Sequence, residues 1–261
     1  MEQQREPIPG WARAFLALVD KLIWNAPGKP RIRVAWAVDF HKIFTLFIIY
    51  AMMNYYDNFT TTTWVYLGLH GIYGYCWLIK DFGFRDHQFN DRISILASIN
   101  LYVFLVGWYW ITPWLLISRF IEPSGPVVFA AIAIHTLGVV TMMAADGQRH
   151  WILKYRQQPG LITDGVYRYT RNPNYLGELM LYAAYPMLAQ HWIAWAIYAY
   201  MASYFLARMK NKDHAISRHP GWQEYKQQSG LLIPWRLLTG AAIADRLKQS
   251  PSHPEASINA K

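Results

Sequence analysis

The sequence has little cysteine and lacks the glycine-rich loop motifs that soluble nucleotide-binding enzymes use. Its one cysteine, Cys76, excludes an internal disulfide and argues against a thiolate metal cluster. No Gly-x-Gly-x-x-Gly follows a strand pattern and no Gly-x-x-x-x-Gly-Lys-Ser/Thr occurs, so neither a Rossmann domain nor a P-loop is expected. The nine histidines form no paired boxes of the kind that a membrane di-iron enzyme uses. We therefore predict no metal site.

Apolar residues dominate the rest of the chain and predict a membrane protein. They make up 54% of the 261 residues, and several runs approach the roughly 20 apolar residues that a spanning helix needs. A further amphipathic helix is expected at the membrane interface over residues 11–24. The predicted fold is all-α, a polytopic membrane helix bundle of 6–7 spans with an N-terminal interfacial helix. Six spans are predicted over residues 34–54, 61–80, 93–116, 126–146, 174–189 and 192–210.

The organisation along the chain follows from these spans. Residues 1–33 form an N-terminal interfacial segment, and residues 34–236 form the membrane domain, whose cofactor half is expected over about 140–236. The polar residues 237–261 are predicted to be a loosely ordered tail.

Basic residues are almost missing from one predicted side of the membrane. The segments 54–60, 117–125 and 188–191 together hold one basic residue, Arg119. Lys42 lies inside the first span, so 23 of the 25 lysines and arginines lie on the other side or at its boundary. The positive-inside rule makes that side cytoplasmic, with both termini and the cofactor site there. This placement of the +9 net charge points to membrane lipids as partners and argues against nucleic acid.

The start of the fifth span carries an unusual density of polar residues at a lipid boundary, over residues 170–178. Pro173 suits a first helical turn, and Asn172 stands where a cap belongs. Gly177 permits close approach of another backbone.

The residues that follow place polar groups on one helical face. Asn174, Glu178 and Tyr182 fall at i, i+4 and i+8. A helix N-terminus beside Arg168 and Arg171 attracts a phosphate or a carboxylate. Polar groups at this depth are costly and usually serve function, so we predict a ligand site here.

Polar side chains on four other faces become more frequent toward the cytoplasmic end and predict a cavity that opens there. The second span carries Tyr66, His70, Tyr73, Trp77 and Lys80. The fourth carries His135, Gly138, Met142, Asp146 and Arg149, the first carries Asp39 and Lys42, and the sixth carries Tyr204, Arg208 and Lys212. The connecting segment 146–175 is basic and aromatic, which suits an anionic ligand with a flat ring.

The C-terminal part of the chain resembles a known family. The motifs are Gly165-Val-Tyr-Arg-Tyr169, Arg171-Asn-Pro-Asn-Tyr-Leu-Gly-Glu178, Arg208-x-x-x-Lys212-Asp213, Gly221-Trp222-x-x-Tyr225 and Leu231-Leu-Ile-Pro-Trp235. Together with Asp146-Gly-Gln-Arg149-His150 they resemble the membrane steroid and sterol reductases over residues 140–236. The chain length suits the steroid 5α-reductase branch, as a bacterial homologue in an inner membrane.

The resemblance implies an oxidoreductase of steroid and lipid metabolism. NADPH would reduce the C=C bond of an enone, converting a 3-oxo-4-ene steroid to its 5α product. Tyr73 would polarise the carbonyl oxygen with Asp39 beside it, and Tyr75 and His70 are alternates. The basic excess favours NADPH over NADH, because a 2′-phosphate needs a cation. The implied cofactor-binding residues are Asp146, Arg149, His150, Arg156, Arg168, Tyr169, Arg171, Asn174, Glu178, Arg208, Lys212 and Asp213.

Two other readings stay open. The same C-terminal motif resembles S-adenosylmethionine-dependent membrane methyltransferases of the isoprenylcysteine and phospholipid type. Those enzymes favour a paired acidic motif where this chain has Lys212-Asp213, and they commonly lack a glutamate at the position of Glu178, so both departures favour the reductase. The third reading is a non-catalytic sterol- or lipid-binding membrane protein.

Overall fold

A computed structural model describes residues 5–158 and 160–241 and contains helices joined by one short strand pair. The α-helices are α1 (Gly10–Val19), α2 (Val34–Tyr55), α3 (Thr61–Tyr66), α4 (Ile72–Phe84), α5 (Ile95–Leu101), α6 (Ile111–Ser118), α7 (Gly125–Tyr155), α8 (Pro173–Ala189), α9 (Trp192–Ile216), α10 (Trp222–Gln228) and α11 (Trp235–Leu238). The strands β1 (Ile32–Arg33) and β2 (Arg92–Ile93) pair antiparallel, with Ile32 opposite Ile93. The predicted all-α class is confirmed.

Three helical segments among the described residues are long and apolar enough to cross a membrane. They are Val34–Tyr55, Ile95–Ser118 and Gly125–Tyr155, which correspond to the first, third and fourth predicted spans. Large apolar side chains on α7, such as Phe129, Leu137 and Val140, point outward rather than into the protein. An apolar outer surface suits a lipid surrounding. The count of six to seven spans and the cytoplasmic placement of the termini stay predictions.

Two of the predicted spans are interrupted helices. The second consists of α3 and α4, which a π-helical turn at Leu67–Gly71 joins. The third contains α5 and α6 with a π-helical turn at Tyr102–Val106 and a 3-10 turn at Gly107–Trp110. Such turns shift the side chains that follow them around the helix axis, and they are frequent at functional sites.

Two glycines let α7 and α8 pack backbone against backbone. A Cβ atom built on Gly177 would lie 2.5 Å from the Gly138 carbonyl oxygen. One built on Gly138 would lie 2.6 Å from the Gly177 carbonyl oxygen and 2.5 Å from the Leu181 nitrogen. The predicted close approach at Gly177 is therefore present, and it fixes the neighbouring Glu178 next to α7.

The N-terminal segment packs against the C-terminal helices. Helix α1 continues as a π-helical turn at Asp20–Trp24, and the Phe15 ring lies 5.8 Å from the ring of Tyr200 on α9. A helix is thus present where one was predicted, and its position at the membrane surface stays a prediction. The first four residues of the predicted segment 1–33, and residues 242–261 of the predicted tail, lie outside the described part of the chain.

Candidate functional site

The start of α8 is held by a buried ion pair. The Arg171 guanidinium donates from Nε and from a terminal nitrogen to the Asp213 carboxylate, at 3.1 and 3.0 Å. The other terminal nitrogen donates to the Ser229 carbonyl oxygen at 2.5 Å, and Lys212 Nζ donates to the Arg171 carbonyl oxygen at 2.8 Å. Both charged side chains of the pair are buried. These predicted ligand-binding groups therefore bind one another and fix the site wall.

The segment before α8 is joined to the segment after α10. Thr170 and Gly230 form a parallel β-bridge, and the Thr170 hydroxyl donates to the Leu232 carbonyl oxygen at 2.7 Å. Asn172 stands at the predicted cap position, but its side chain makes no capping hydrogen bond. Its amide nitrogen donates to the Leu231 carbonyl oxygen at 2.8 Å. Asn172 thus ties the two segments together.

The inner face of α8 presents acceptor atoms that the protein itself does not use. Asn174, Glu178 and Tyr182 are all buried, as the i, i+4, i+8 spacing predicts. The Asn174 and Asn172 side-chain oxygens have no hydrogen-bond partner among the described residues. Glu178 is 8% exposed and forms no ion pair in the part of the chain that is described. Buried acceptors without partners are costly and point to a ligand with donor groups.

Two buried lysines face this acceptor group. Lys80 Nζ lies 2.5 Å from the Asp146 carboxylate oxygen, so α4 and α7 are joined inside the bundle. Glu178 interacts electrostatically with Lys80, Asp146 and Lys42. The site therefore contains two ammonium groups and two carboxylates, of which only Lys80 and Asp146 are in direct contact.

Lys42 lies within a set of aromatic rings, here called the aromatic cage: Tyr73, Trp77, Tyr109 and Tyr182. Its Nζ is 4.6 Å from the centroid of the Tyr73 ring and 5.3 Å from that of Trp77. It is 5.8 Å from the centroids of both Tyr109 and Tyr182. A cation over aromatic faces at these distances is stabilised by the ring quadrupoles.

The two predicted catalytic residues lie in different surroundings. The Tyr73 hydroxyl lies 3.2 Å from the Tyr182 hydroxyl in the aromatic cage. Asp39 interacts instead with Asp81 and Arg85, at the C-terminal end of α4. Arg85 Nε donates to Asp81 at 2.7 Å. The structure shows no direct contact between Asp39 and Tyr73.

The remaining predicted ligand-binding residues lie around the rim. Arg149 contacts the Asp86 carboxylate at 3.2 Å. Burial alone would raise the pKa of Asp86, but Arg149, a backbone hydrogen bond at Gln88 and the charge of Lys80 together lower the pKa of that carboxyl. Arg208 donates to the Gln88 side-chain oxygen at 2.9 Å. The others lie further out, where Arg156 donates to the Leu161 carbonyl oxygen, Arg168 lies over the Tyr169 ring, and His150 lies near Phe84.

Comparison with known proteins decides between the readings of the C-terminal motif. Residues 127–215 match the phospholipid methyltransferase family profile. The match begins in α7, ends in α9, and contains the acceptor face of α8. A methanethiol S-methyltransferase of Mycobacterium tuberculosis is 27% identical over 156 residues, which cover 54% of this chain and 62% of that protein. An uncharacterized protein of Schizosaccharomyces pombe is 25% identical over 96 residues, 34% of each chain. The chain therefore spans about a third to three fifths of these relatives.

The predicted steroid 5α-reductase activity is wrong, because the matched family and the Mycobacterium tuberculosis relative are methyltransferases. The related predictions are wrong for the same reason. They are an oxidoreductase of steroid metabolism, a steroid enone as substrate, and NADPH as cofactor. The physical reason lies in the cations that were assigned to phosphates. Two of them are neutralised within the protein, as Arg149–Asp86 and Arg171–Asp213. Asp213 is the ion-pair partner of Arg171, so the sequence Lys212-Asp213 in place of a paired acidic motif does not favour a reductase.

Some residues of the site were missing from the sequence-based set of ligand-binding and catalytic residues. They are Lys42, Lys80, Tyr109 and Tyr182. The signal for the two lysines was present, because an ionisable residue inside a spanning segment points to function by itself. Tyr109 could not have been found by periodicity, since it lies in the 3-10 turn that follows the π-helical turn at Tyr102–Val106, and both turns break the helical register.

Proposed function

We propose that this chain is an S-adenosylmethionine-dependent methyltransferase of the membrane, with its ligand held on the inner face of α8. The observation that carries the proposal is a set of buried acceptors, Asn172 Oδ1 and Asn174 Oδ1, that have no partner among the described residues and lie near Glu178, which forms no ion pair there. S-adenosylmethionine carries ammonium, ribose hydroxyl and adenine amine donors. When bound, it supplies an electrophilic methyl group on a sulfonium cation.

Two ion pairs within the protein hold the side chains of the site in place. Lys80 fixes the Asp146 carboxylate, and the pair Arg171–Asp213 fixes the first turn of α8. Asn174 would accept hydrogen bonds from the bound ligand in this arrangement, and Asp146 would attract its cationic end. Burial of these groups keeps water away, which strengthens each electrostatic contact. The match to a methyltransferase family over residues 127–215 supports the same conclusion.

The acceptor of the methyl group is not fixed by these residues alone. The matched family is named for phospholipids, and the Mycobacterium tuberculosis relative is named for methanethiol. A membrane lipid and an apolar thiol both partition into the bilayer around α2 and α7. The proposed function therefore covers both acceptor classes.

Ligand-induced stabilisation tests this proposal. We expect S-adenosylmethionine and S-adenosylhomocysteine to raise the thermal midpoint of the purified protein in detergent, because a ligand that binds only the folded state at a hundredfold its Kd adds about 2.7 kcal/mol. NADPH serves as the unrelated anionic comparison and is expected to give no shift. An equal shift with NADPH, or no shift with S-adenosylmethionine, would contradict the proposal.

A matched pair of variants locates the binding site. Asn174→Leu removes the unpaired amide oxygen, so we expect affinity for S-adenosylmethionine to fall by about tenfold, as for loss of one hydrogen bond. The stability of the protein without ligand should not fall, because no internal hydrogen bond is lost. Asn54→Leu, at an exposed position at the end of α2, is the control and should bind as the unaltered protein does.

A further inference from the structure

The aromatic cage is filled by the chain's own cation. Lys42 is 5% exposed, and its Nζ lies between 4.6 and 5.8 Å from the centroids of four rings. Four aromatic faces around one point are the arrangement that proteins use to bind a quaternary ammonium ligand. Here that place is occupied by the Lys42 side chain, whose backbone packs closely against Gly74: a Cβ atom built on Gly74 would clash with the Lys42 carbonyl oxygen.

This occupancy weighs against an amine as the methyl acceptor. Methylation of a phospholipid amine ends in an ammonium group of positive charge. That group would lie beside the buried side chains of Lys42 and Lys80, where like charges repel strongly. The cage that would stabilise the product is already full. A head group that becomes cationic on methyl transfer is therefore disfavoured beside Lys42, whereas transfer to an anion leaves no charge on the product.

The same surroundings suit a nucleophile that reacts as an anion. Lys42 forms no ion pair among the residues that the structure describes, so its charge is available to an anionic ligand. The buried Tyr109 hydroxyl beside it makes no hydrogen bond in that part of the chain and can donate one. Glu178 interacts electrostatically with Lys42 and forms no ion pair among the described residues. An ammonium, a hydroxyl donor and a proton acceptor thus face one another.

Resting on the proposed methyltransferase function, we infer that the acceptor is an apolar thiol that reacts as its thiolate beside Lys42. The thiol S–H bond breaks and its proton passes to the Glu178 carboxylate. A lone pair of the thiolate sulfur forms the new bond to the methyl carbon. The bond between that carbon and the sulfonium sulfur breaks, and its electron pair stays on the resulting thioether.

Acceptor specificity is the first test. The full-length protein in lipid nanodiscs is assayed for S-adenosylhomocysteine release with butanethiol and, separately, with phosphatidylethanolamine, after binding of S-adenosylmethionine has been measured. We expect release with butanethiol and none with the lipid amine. If S-adenosylmethionine binds but phosphatidylethanolamine is methylated, or neither acceptor reacts, the thiol assignment is overturned. If S-adenosylmethionine does not bind, the proposed function itself is overturned.

The pH profile of a Lys42 variant is the second test. The titratable and charged groups that face Lys42 are His41, His70, Tyr73, Lys80, Tyr109, Glu178 and Tyr182. Lys42→Met removes the ammonium group and leaves these other groups in place. Without that charge beside the thiolate, thiol methylation at neutral pH should fall by about ten- to hundredfold, as for loss of a charged partner. The rate should recover as the pH rises and the solution supplies thiolate. Lys42→Arg should keep part of the activity.

Two further variants keep the test decisive. Lys21→Met, at an exposed lysine, should leave the rate and its pH profile unchanged. Should Lys42→Met fail to fold, Tyr109→Phe is measured instead and should lower thiol turnover by about tenfold without loss of S-adenosylmethionine binding. A folded Lys42→Met protein with an unaltered pH profile, or a fully active Tyr109→Phe protein, would overturn the inference.

Discussion

Arg171 and Asp213 form the buried ion pair on which the first turn of α8 depends. Replacing Asp213 by Asn keeps the size of the side chain and removes its charge, which leaves the buried guanidinium without a counterion. Loss of one partner of such a pair typically costs about 3–5 kcal/mol. We therefore expect Asp213→Asn to lower the free energy of unfolding by that amount, measured as a lower denaturation midpoint in detergent.

The control for this change is Asp164→Asn, at an exposed position of the loop before α8. It should shift the midpoint little. The double variant Arg171→Met with Asp213→Leu removes both charges, so it should be more stable than Asp213→Asn alone. Equal stability of Asp213→Asn and the unaltered protein would show that Arg171 is satisfied by the Ser229 carbonyl oxygen without its carboxylate.

At the scale of single residues, the sequence predicted which side chains are buried on a helix face better than it predicted which side chains form ion pairs with one another. The face of Asn174, Glu178 and Tyr182 follows from the helical period, and all three are buried. The pairing of Arg171 with Asp213 joins residues 42 positions apart, and no local pattern encodes it. The same holds for Lys42, whose four rings come from three separate parts of the chain. An arginine near a helix start was therefore assigned to a phosphate although a carboxylate of the protein binds it.

The contact of α7 with α8 rests on two glycines and is open to a matched test within one helix. Gly138→Ala places a methyl group against the backbone of α8, whereas Gly147→Ala meets nothing within 4 Å. Overpacking of a close contact typically costs about 1–3 kcal/mol, so Gly138→Ala should lower the denaturation midpoint. Gly147→Ala should leave it unchanged or raise it, because alanine is favoured over glycine in a helix.

The affinity for S-adenosylmethionine should change in parallel with the denaturation midpoints of the two glycine variants, since Gly138 sets the distance between α7 and the acceptor face of α8. We expect Gly138→Ala to weaken binding and Gly147→Ala to leave it intact. Equal midpoints and equal affinities for the two variants would mean that the helices can move apart without consequence. The contact would then not position Glu178.

At the scale of elements, prediction succeeded where apolar periodicity was long and failed where the backbone departs from it. Helix α8 was predicted from residue 174 and begins at Pro173, which suits a first turn. The fourth span was predicted to end at residue 146 with the apolar run, yet helix α7 continues to Tyr155 because no proline interrupts it after Pro126. The strands β1 and β2 are two residues each, too short for an alternating pattern to show.

For the whole molecule, the sequence predicted a membrane helix bundle with its polar site at one end, but not which of two related chemistries it carries. The Arg-Asn-Pro-x-Tyr-x-Gly motif builds a helix start that suits either a dinucleotide or S-adenosylmethionine. The two ligands differ in charge, so the choice between them depends on which charged side chains of the site remain without an ion-pair partner. Which side chains pair with one another is decided by the fold and cannot be seen in the sequence. Three neutralised cations and unpaired acceptors on α8 describe a site for a cationic ligand with donor groups.

The two ends of the described chain are joined through Glu6. Its carboxylate accepts hydrogen bonds from Lys226 Nζ at 2.8 and 2.9 Å and from Trp222 Nε1 at 3.0 Å. The backbone nitrogen of Glu6 donates to the Ser217 hydroxyl at 3.0 Å. These contacts hold the segment before α1 against α9 and α10, and Trp222 in turn lies against Arg171.

The junction at Glu6 should weaken in acid. Hydrogen bonds from Lys226 and Trp222 lower the pKa of Glu6 below its ordinary value of 4.5. A carboxyl with a lowered pKa stabilises the fold fully above that ordinary value, and this contribution is lost as the pH falls through the lowered pKa. Glu6→Gln should therefore give faster hydrogen exchange in α1 than the unaltered protein at neutral pH, and the difference should close in acid. The exposed Glu224→Gln should show no such difference at any pH, and a difference for Glu6→Gln that persists unchanged into acid would mean that the carboxylate charge does not hold the two ends together.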